Sequence, residues 1–167
     1  RLSLSAGSRV EVILPDTHRL RLAESADLEL TALARSLDED RAGGTPLLPT
    51  NGALAIDVPR DAVDRPRVDT DTAGVLLEPG GLYLVEIDGR GDTRVVVRVG
   101  EAEILGQYDS TVVRAGDEAV VPRDTRDQIA LYEAPPLTDV VEWARQLEAE
   151  ATRVGEVRFF VPELRYA

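Results

Sequence analysis

The chain has 167 residues, a single-domain length at which roughly two thirds of the unfolded surface is buried without help from a disulfide or a metal. Its 31 acidic residues against 19 basic ones leave a net charge of −12, so a nucleic acid meets repulsion over most of the surface and is not an expected partner. There is no Cys, no Met and no Lys, and one His, which removes thiol nucleophiles, Schiff-base lysines and most zinc sites.

Short apolar runs separated by Gly, Pro and Asp at intervals of about ten residues predict an all-β domain. Val10-Glu11-Val12, Leu20-Arg21-Leu22 and Leu28-Glu29-Leu30 alternate with period 2, which turns one face to a core and the other to water. Asp38 to Pro46 is polar, carries Gly43-Gly44, and reads as a surface loop. Strand signal resumes at Leu54-Ala55-Ile56-Asp57-Val58 and stops at Pro59. Leu82 to Ile87 and Thr93 to Val99 flank Asp88-Gly89-Arg90-Gly91-Asp92, a β-hairpin with a Gly-containing loop. Ala102 to Leu105, Thr111 to Arg114 and Ala119 to Val121 continue as short strands joined by tight turns, building a wound sheet. Gly52 and Gly100 each open a segment with apolar residues two and four positions on, a weak internal similarity that fits a repeated turn design or any strand that begins at a Gly.

After Pro135-Pro136 the period changes. Thr138 is placed as an N-cap, and Val140, Val141, Ala144, Leu147 and Ala151 recur at helical spacing, predicting one amphipathic helix over about 139–152 that packs on the sheet with Trp143 at its edge. Val157-Arg158-Phe159-Phe160-Val161 is a last strand candidate, ending at Pro162. The chain thus divides into a β domain, 1–134, and a C-terminal helix and apolar tail, 135–167, that packs on it or extends from it.

Candidate chemistry is sparse. Asp69-Thr70-Asp71-Thr72-Ala73-Gly74 approaches the Asp-Thr-Gly turn of aspartic proteases, but Ala73 stands where the backbone needs Gly, so a turn with Asx-type hydrogen bonds is expected. His18 lies in a turn-forming stretch, and no serine sits in a nucleophile elbow. Asp88 and Asp92 lack the ligand spacing of a calcium loop, and Arg90 between them opposes a cation; the Arg90-Gly91-Asp92 tripeptide is explained by turn chemistry. No Gly-rich phosphate cradle is present. No catalytic residue, metal ligand or cofactor site is therefore assigned, and a small-molecule ligand is not expected. An acidic protease or glycosidase is the least favoured reading. No run reaches the roughly 18 apolar residues of a membrane helix. With no Met at position 1, a segment such as a signal peptide is expected to precede Arg1 in the gene product.

Gly7 to Val12, Leu20 to Glu24, Leu28 to Leu30, Val68 to Val75, Gly80 to Val85, Thr93 to Ala102 and Arg114 to Ala119 follow, in order and spacing, the pattern of the FecR-like domain, which the chain resembles over roughly residues 7–121. The continuation with Trp143 and Arg158 to Glu163 is similar to exported FecR-like proteins. The resemblance implies a mainly β, solenoid-like or sandwich-like domain of short antiparallel strands, periplasmic or extracellular and without enzymatic activity. It is similar to the periplasmic domain of FecR anti-sigma regulators, which contacts the signalling domain of an outer-membrane transporter. This chain carries no anti-sigma segment and starts close to the Gly7-Ser8-Arg9-Val10 strand, so a partner strand is expected to complete the sheet unless the chain is a fragment.

The expected function is a protein-interaction or scaffold domain whose partner is another protein or a second copy, joined by β-strand addition. Val157, Phe159, Phe160 and Val161 are the candidate partner-binding residues, as a donated strand; their alternative is to fold back on the core. The runner-up is a carbohydrate-binding β-sandwich, which needs a row of exposed aromatics, and the chain has seven aromatics in all. The acidic surface fits salt adaptation and solubility equally.

Overall fold

The computed structural model describes residues 1–14, 18–22, 25–30, 46–105, 110–125, 128–137 and 139–154. Among them the strands are β1 (Leu2–Ser3), β2 (Val10–Ile13), β3 (Arg19–Leu22), β4 (Asp27–Leu30), β5 (Leu47–Val58), β6 (Arg67–Asp69), β7 (Gly74–Leu77), β8 (Gly81–Ile87), β9 (Thr93–Val99), β10 (Glu101–Leu105), β11 (Ser110–Arg114), β12 (Asp117–Val121) and β13 (Ala130–Glu133), and a single helix, α1 (Asp139–Val154), follows them. The mainly β class with one C-terminal helix is as the sequence predicts. Pairing is antiparallel except between β5 and β6, where Leu47 lies beside Val68 in a parallel step.

Strand β5 organises the molecule. Its first half pairs with β4 and β6 in one layer, ordered β1-β4-β5-β6-β7-β10-β11. Its second half pairs with β3 and β8 in another, ordered β2-β3-β5-β8-β9-β12-β13. The sequence predicts this strand only from Leu54, because Pro49, Asn51 and Gly52 read as breakers. The structure keeps the strand through them. Pro49 faces Leu28 beside a bulge at Asp27/Leu28, so its missing N–H falls where the ladder is already irregular. Gly52 sits at the switch between layers with φ +80°, and a Cβ there would lie 2.7 Å from the Ala26 Cα. Only Gly fits that approach.

The two layers enclose one core. Leu20 and Leu22 of β3, Leu54, Ile56 and Val58 of β5, Val85 of β8, Val95 and Val97 of β9 and Ile104 of β10 are all buried in it. The predicted similarity of the Gly52 and Gly100 segments has a shared physical outcome: Leu54 and Ile56, like Ala102 and Ile104, point into this core, and both glycines have positive φ. A second, smaller cluster lies on the outer face of the second layer, where Ala55, Leu82, Leu84 and Val96 meet Val140 and Val141 of α1, with Trp143 packed alongside. The helix boundaries agree with the predicted 139–152 within two residues; the proposed cap, Thr138, lies outside the described residues. The Arg9 guanidinium sits 5.7 Å over the Trp143 ring, and Arg98 donates to the Pro136 carbonyl at 3.0 Å, so both the helix and its leading linker are tied to the sheet.

Tyr83 is the largest aromatic of the main core and is fully buried. Its hydroxyl shares a proton between the carbonyls of Glu78, 2.7 Å away, and Glu101, 2.9 Å away, and so pins the start of β10 to the turn before β8. Gly81 and Gly100 leave room for it: a Cβ on Gly81 would overlap the hydroxyl, and one on Gly100 would come within 2.6 Å. Burial, the largest influence, pushes the phenol up from 10.0 to about 12. The neutral phenol is thus the form the fold prefers. Its contribution to stability is complete below pH 10 and is lost as pH rises through 12.

Two outcomes are expected. Gly52→Ala combines a strained φ, worth on the order of 1–3 kcal/mol, with the clash at Ala26, so the urea midpoint falls clearly while Gly7→Ala, with open space around it, falls less. In an alkaline titration followed by tyrosine absorbance, one phenol titrates near pH 12 with loss of the β spectrum, and Tyr83→Phe removes that late step at a cost of about 1–3 kcal/mol at neutral pH.

Candidate functional site

The residues the sequence singled out for chemistry serve the fold. His18 is buried, 3% exposed, and its carbonyl accepts the Leu14 N–H at 2.9 Å, which closes the β2–β3 connection. The Asp69–Gly74 segment is a turn, as expected, but the side chain that closes it is a hydroxyl. Thr70 Oγ1 accepts the N–H groups of Thr72 at 3.2 Å and Ala73 at 3.0 Å. Asp69 instead binds Arg67, 2.8 Å from its Nε, along β6. The expected Asx-type bonds are therefore made by Thr, because the aspartates on either side point to solvent and to Arg67.

Thr93, at the start of β9, completes a cluster of three hydroxyls. Its Oγ1 lies 2.7 Å from that of Thr70 and 2.6 Å from that of Thr72, and it is 1% exposed. Hydroxyls bonded to one another in this way tie the β6–β7 turn to the root of the β8–β9 hairpin. Among the described residues no base or carboxylate joins them.

Above them a cleft of about 190 Å³ opens between Asn51, Asp71, Asp88, Gly91, Thr93 and Arg123. Of its two lining acids, Asp71 is exposed and Asp88 is held in the hairpin turn. Asp88 accepts the N–H groups of Arg90 at 2.8 Å and Asp92 at 3.1 Å, while Asp92 accepts the Arg123 N–H at 2.9 Å. Slight burial pushes Asp88 up, but the N–H groups of Arg90, Asp92 and Gly91 and the Arg90 charge outweigh it and hold the carboxyl below its usual 3.8. Both acids cap turns by accepting backbone N–H groups. The same bonds occupy the Asp of the Arg90-Gly91-Asp92 tripeptide. No group of three or more metal-ligating side chains occurs among the described residues.

The aromatics among the described residues do not form an exposed row. Tyr83 is buried, Trp143 is half-buried under Arg9, and Tyr132 stands exposed on β13. What the described surface does present is a sheet edge. β13 ends the second layer, pairs on one side with β12, and leaves Leu131 53% and Tyr132 58% exposed. The opposite edge, β2, carries Ile13 at 56%. The sequence reading did not place β13, because Ala130-Leu131-Tyr132-Glu133 is short and is preceded by a polar stretch. Period 2 with an aromatic was the available signal. The predicted donor residues Val157, Phe159, Phe160 and Val161 lie outside the described residues.

No protein-family model and no curated protein matches the sequence. The fold does match solved structures. Two crystal structures of a candidate anti-sigma factor from Parabacteroides distasonis superpose over 87% of this chain, with TM-scores of 0.66 and 0.63 at 18% and 19% sequence identity. The likeness at that identity is one of fold, and the chain spans 63% of the length of those proteins. No helix among the described residues is long and apolar enough to cross a membrane.

Replacing Thr93 by Val leaves the Thr70 and Thr72 hydroxyls short of a partner in a buried position. The expected cost is about 1–3 kcal/mol of unfolding free energy, measured in urea, with the native β spectrum retained.

Proposed function

We propose that the chain is a non-catalytic protein-interaction domain of the FecR-like type, working outside the cytoplasm and engaging its partner by β-strand addition. The observation that carries this reading is the edge at β13, where exposed Leu131 and Tyr132 flank a row of backbone groups with no further neighbour among the described strands. The match in fold to a candidate anti-sigma factor supports a regulatory, binding role over a catalytic one. So does the use of Asp88, Asp92 and Thr70 as turn caps. The partner is another protein or a second copy of the chain. Val157, Phe159, Phe160 and Val161 form the strand that is donated.

Light scattering on the purified chain, repeated with residues 156–167 deleted, tests this. Association that is lost on deletion while the β spectrum and urea midpoint persist is the expected result. Unfolding on deletion places Phe159 and Phe160 in the core instead and removes the donor role. Reproducible hydrolase turnover abolished by changing His18 or Asp71 overturns the non-catalytic reading.

A further inference from the structure

The registers of the second layer line up two rows of side chains that run across all seven strands. On the core side the row is Val10, Leu22, Leu54, Val85, Val95, Ala119 and Leu131. On the outer side it is Glu11, Arg21, Ala55, Leu84, Val96, Glu118 and Tyr132. Among the described strands both rows stop at β13, where Leu131 and Tyr132 are more than half exposed. The backbone at that edge is also fixed. Ala134 donates to the Gly116 carbonyl at 2.8 Å, and hydrogen-bonded pairs recur every second residue in an antiparallel ladder, so Tyr132 and Ala130 bond to β12. The N–H and C=O groups of Leu131 and Glu133 therefore point away from the sheet. A third feature marks one end of the edge: Asp117 and Glu133 are directly opposite each other across β12 and β13, a like-charge pair with no arginine bridging it among the described residues.

We infer that β13 accepts the segment Val157–Val161 of a second copy as an antiparallel strand, in the register that sets Arg158 opposite Glu133, Phe159 opposite Tyr132, Phe160 opposite Leu131 and Val161 opposite Ala130. This rests on the strand-donation reading above and names its acceptor. In this register the cation meets the Asp117–Glu133 pair, Phe160 extends the core-side row beyond Leu131, and Phe159 extends the outer row beyond Tyr132. Pro162 ends the strand one residue after Ala130 is matched, and a Pro stops a ladder because it has no N–H to give. The outward groups of Leu131 and Glu133 bond to residues 160 and 158.

The acceptor belongs to another copy for reasons of reach. The linker before α1 is tied to β9 through Arg98 and Pro136, and the helix crosses β5 and β3. From β3 to β13 is five strand spacings, about 24 Å. Three residues from Val154 to Val157 span at most about 11 Å.

The absence of cysteine makes the test direct. Tyr132→Cys and Phe159→Cys chains are purified separately, mixed and mildly oxidised. Residues 132 and 159 form a non-hydrogen-bonded pair in this register, the close kind that a disulfide spans. A mixed disulfide dimer that forms at least tenfold faster than that of Val63→Cys with Phe159→Cys is the expected result, Val63 being 95% exposed and away from the edge. In the otherwise unchanged chain, Leu131→Pro removes an outward N–H and abolishes association with the urea midpoint kept, and Glu133→Arg weakens association by roughly fivefold. If deleting residues 156–167 abolishes association but these variants and the 132–159 disulfide do nothing, the acceptor is not β13 and donation itself stands. If association survives the deletion, or never occurs, donation fails as well.

Discussion

Everything in this fold depends on one strand being allowed to belong to two sheets. β5 changes layers at Gly52, where the backbone takes a left-handed φ and passes within van der Waals range of Ala26. A side chain at that point has nowhere to go. Because the switch is tight, the two halves of β5 stay close enough for Leu47, Leu54, Ile56 and Val58 to sit in the same core, and the layers close on one another. The bulge at Asp27/Leu28 and the proline beside it bend the first half in the same place.

The centre of the second layer, at β5 and β8, is buried on both faces, which explains its composition. On the core side it is Val, Leu and Ile. On the outer side small residues such as Ala53 and Ala55 let α1 approach, and Arg21 is fully buried there, with its Nε 2.9 Å from Glu11 and Nη1 4.0 Å from Asp57. A buried guanidinium tolerates the loss of water only with acids in reach. Across β9 and β12 the roles are reversed: Glu118 is the buried partner and the half-exposed Arg94 reaches it at 2.8 Å. The charge beneath and beside the helix is thus balanced locally, in a chain that is strongly acidic as a whole.

Legibility in the sequence followed locality. The β8–β9 hairpin, the strands of β10 to β12 and α1 could be read because period and turn residues sit side by side in the chain. The first half of β5 could not, since Pro49 and Asn51-Gly52 signal a break unless the neighbouring strand's bulge is known. β7 and β13 were missed for their shortness and for turn formers in front of them. Arg21 reads as a solvent-facing residue of an alternating strand, yet it is fully buried in β3, a strand that α1, more than a hundred residues later, contacts. The hydroxyl cluster of Thr70, Thr72 and Thr93 was hidden in the same way, by joining positions 23 residues apart. The candidate edge is a property of pairing, and pairing with a remote strand leaves little trace in four residues.

The β8–β9 hairpin also bears on how the chain reaches this state. It is closed locally, by Asp88 bonding the N–H groups of Arg90 and Asp92, whereas β5 has to find β3 and β4 upstream across a long intervening segment, and β7 has to find β10. Local contacts close fast and remote ones slowly, since each long loop costs entropy before any pairing repays it. The topology implies that the hairpin forms first and recruits β5 and β12 to its two sides, while the β4-β5-β6-β7 layer, which waits on the turn at Gly52, assembles last.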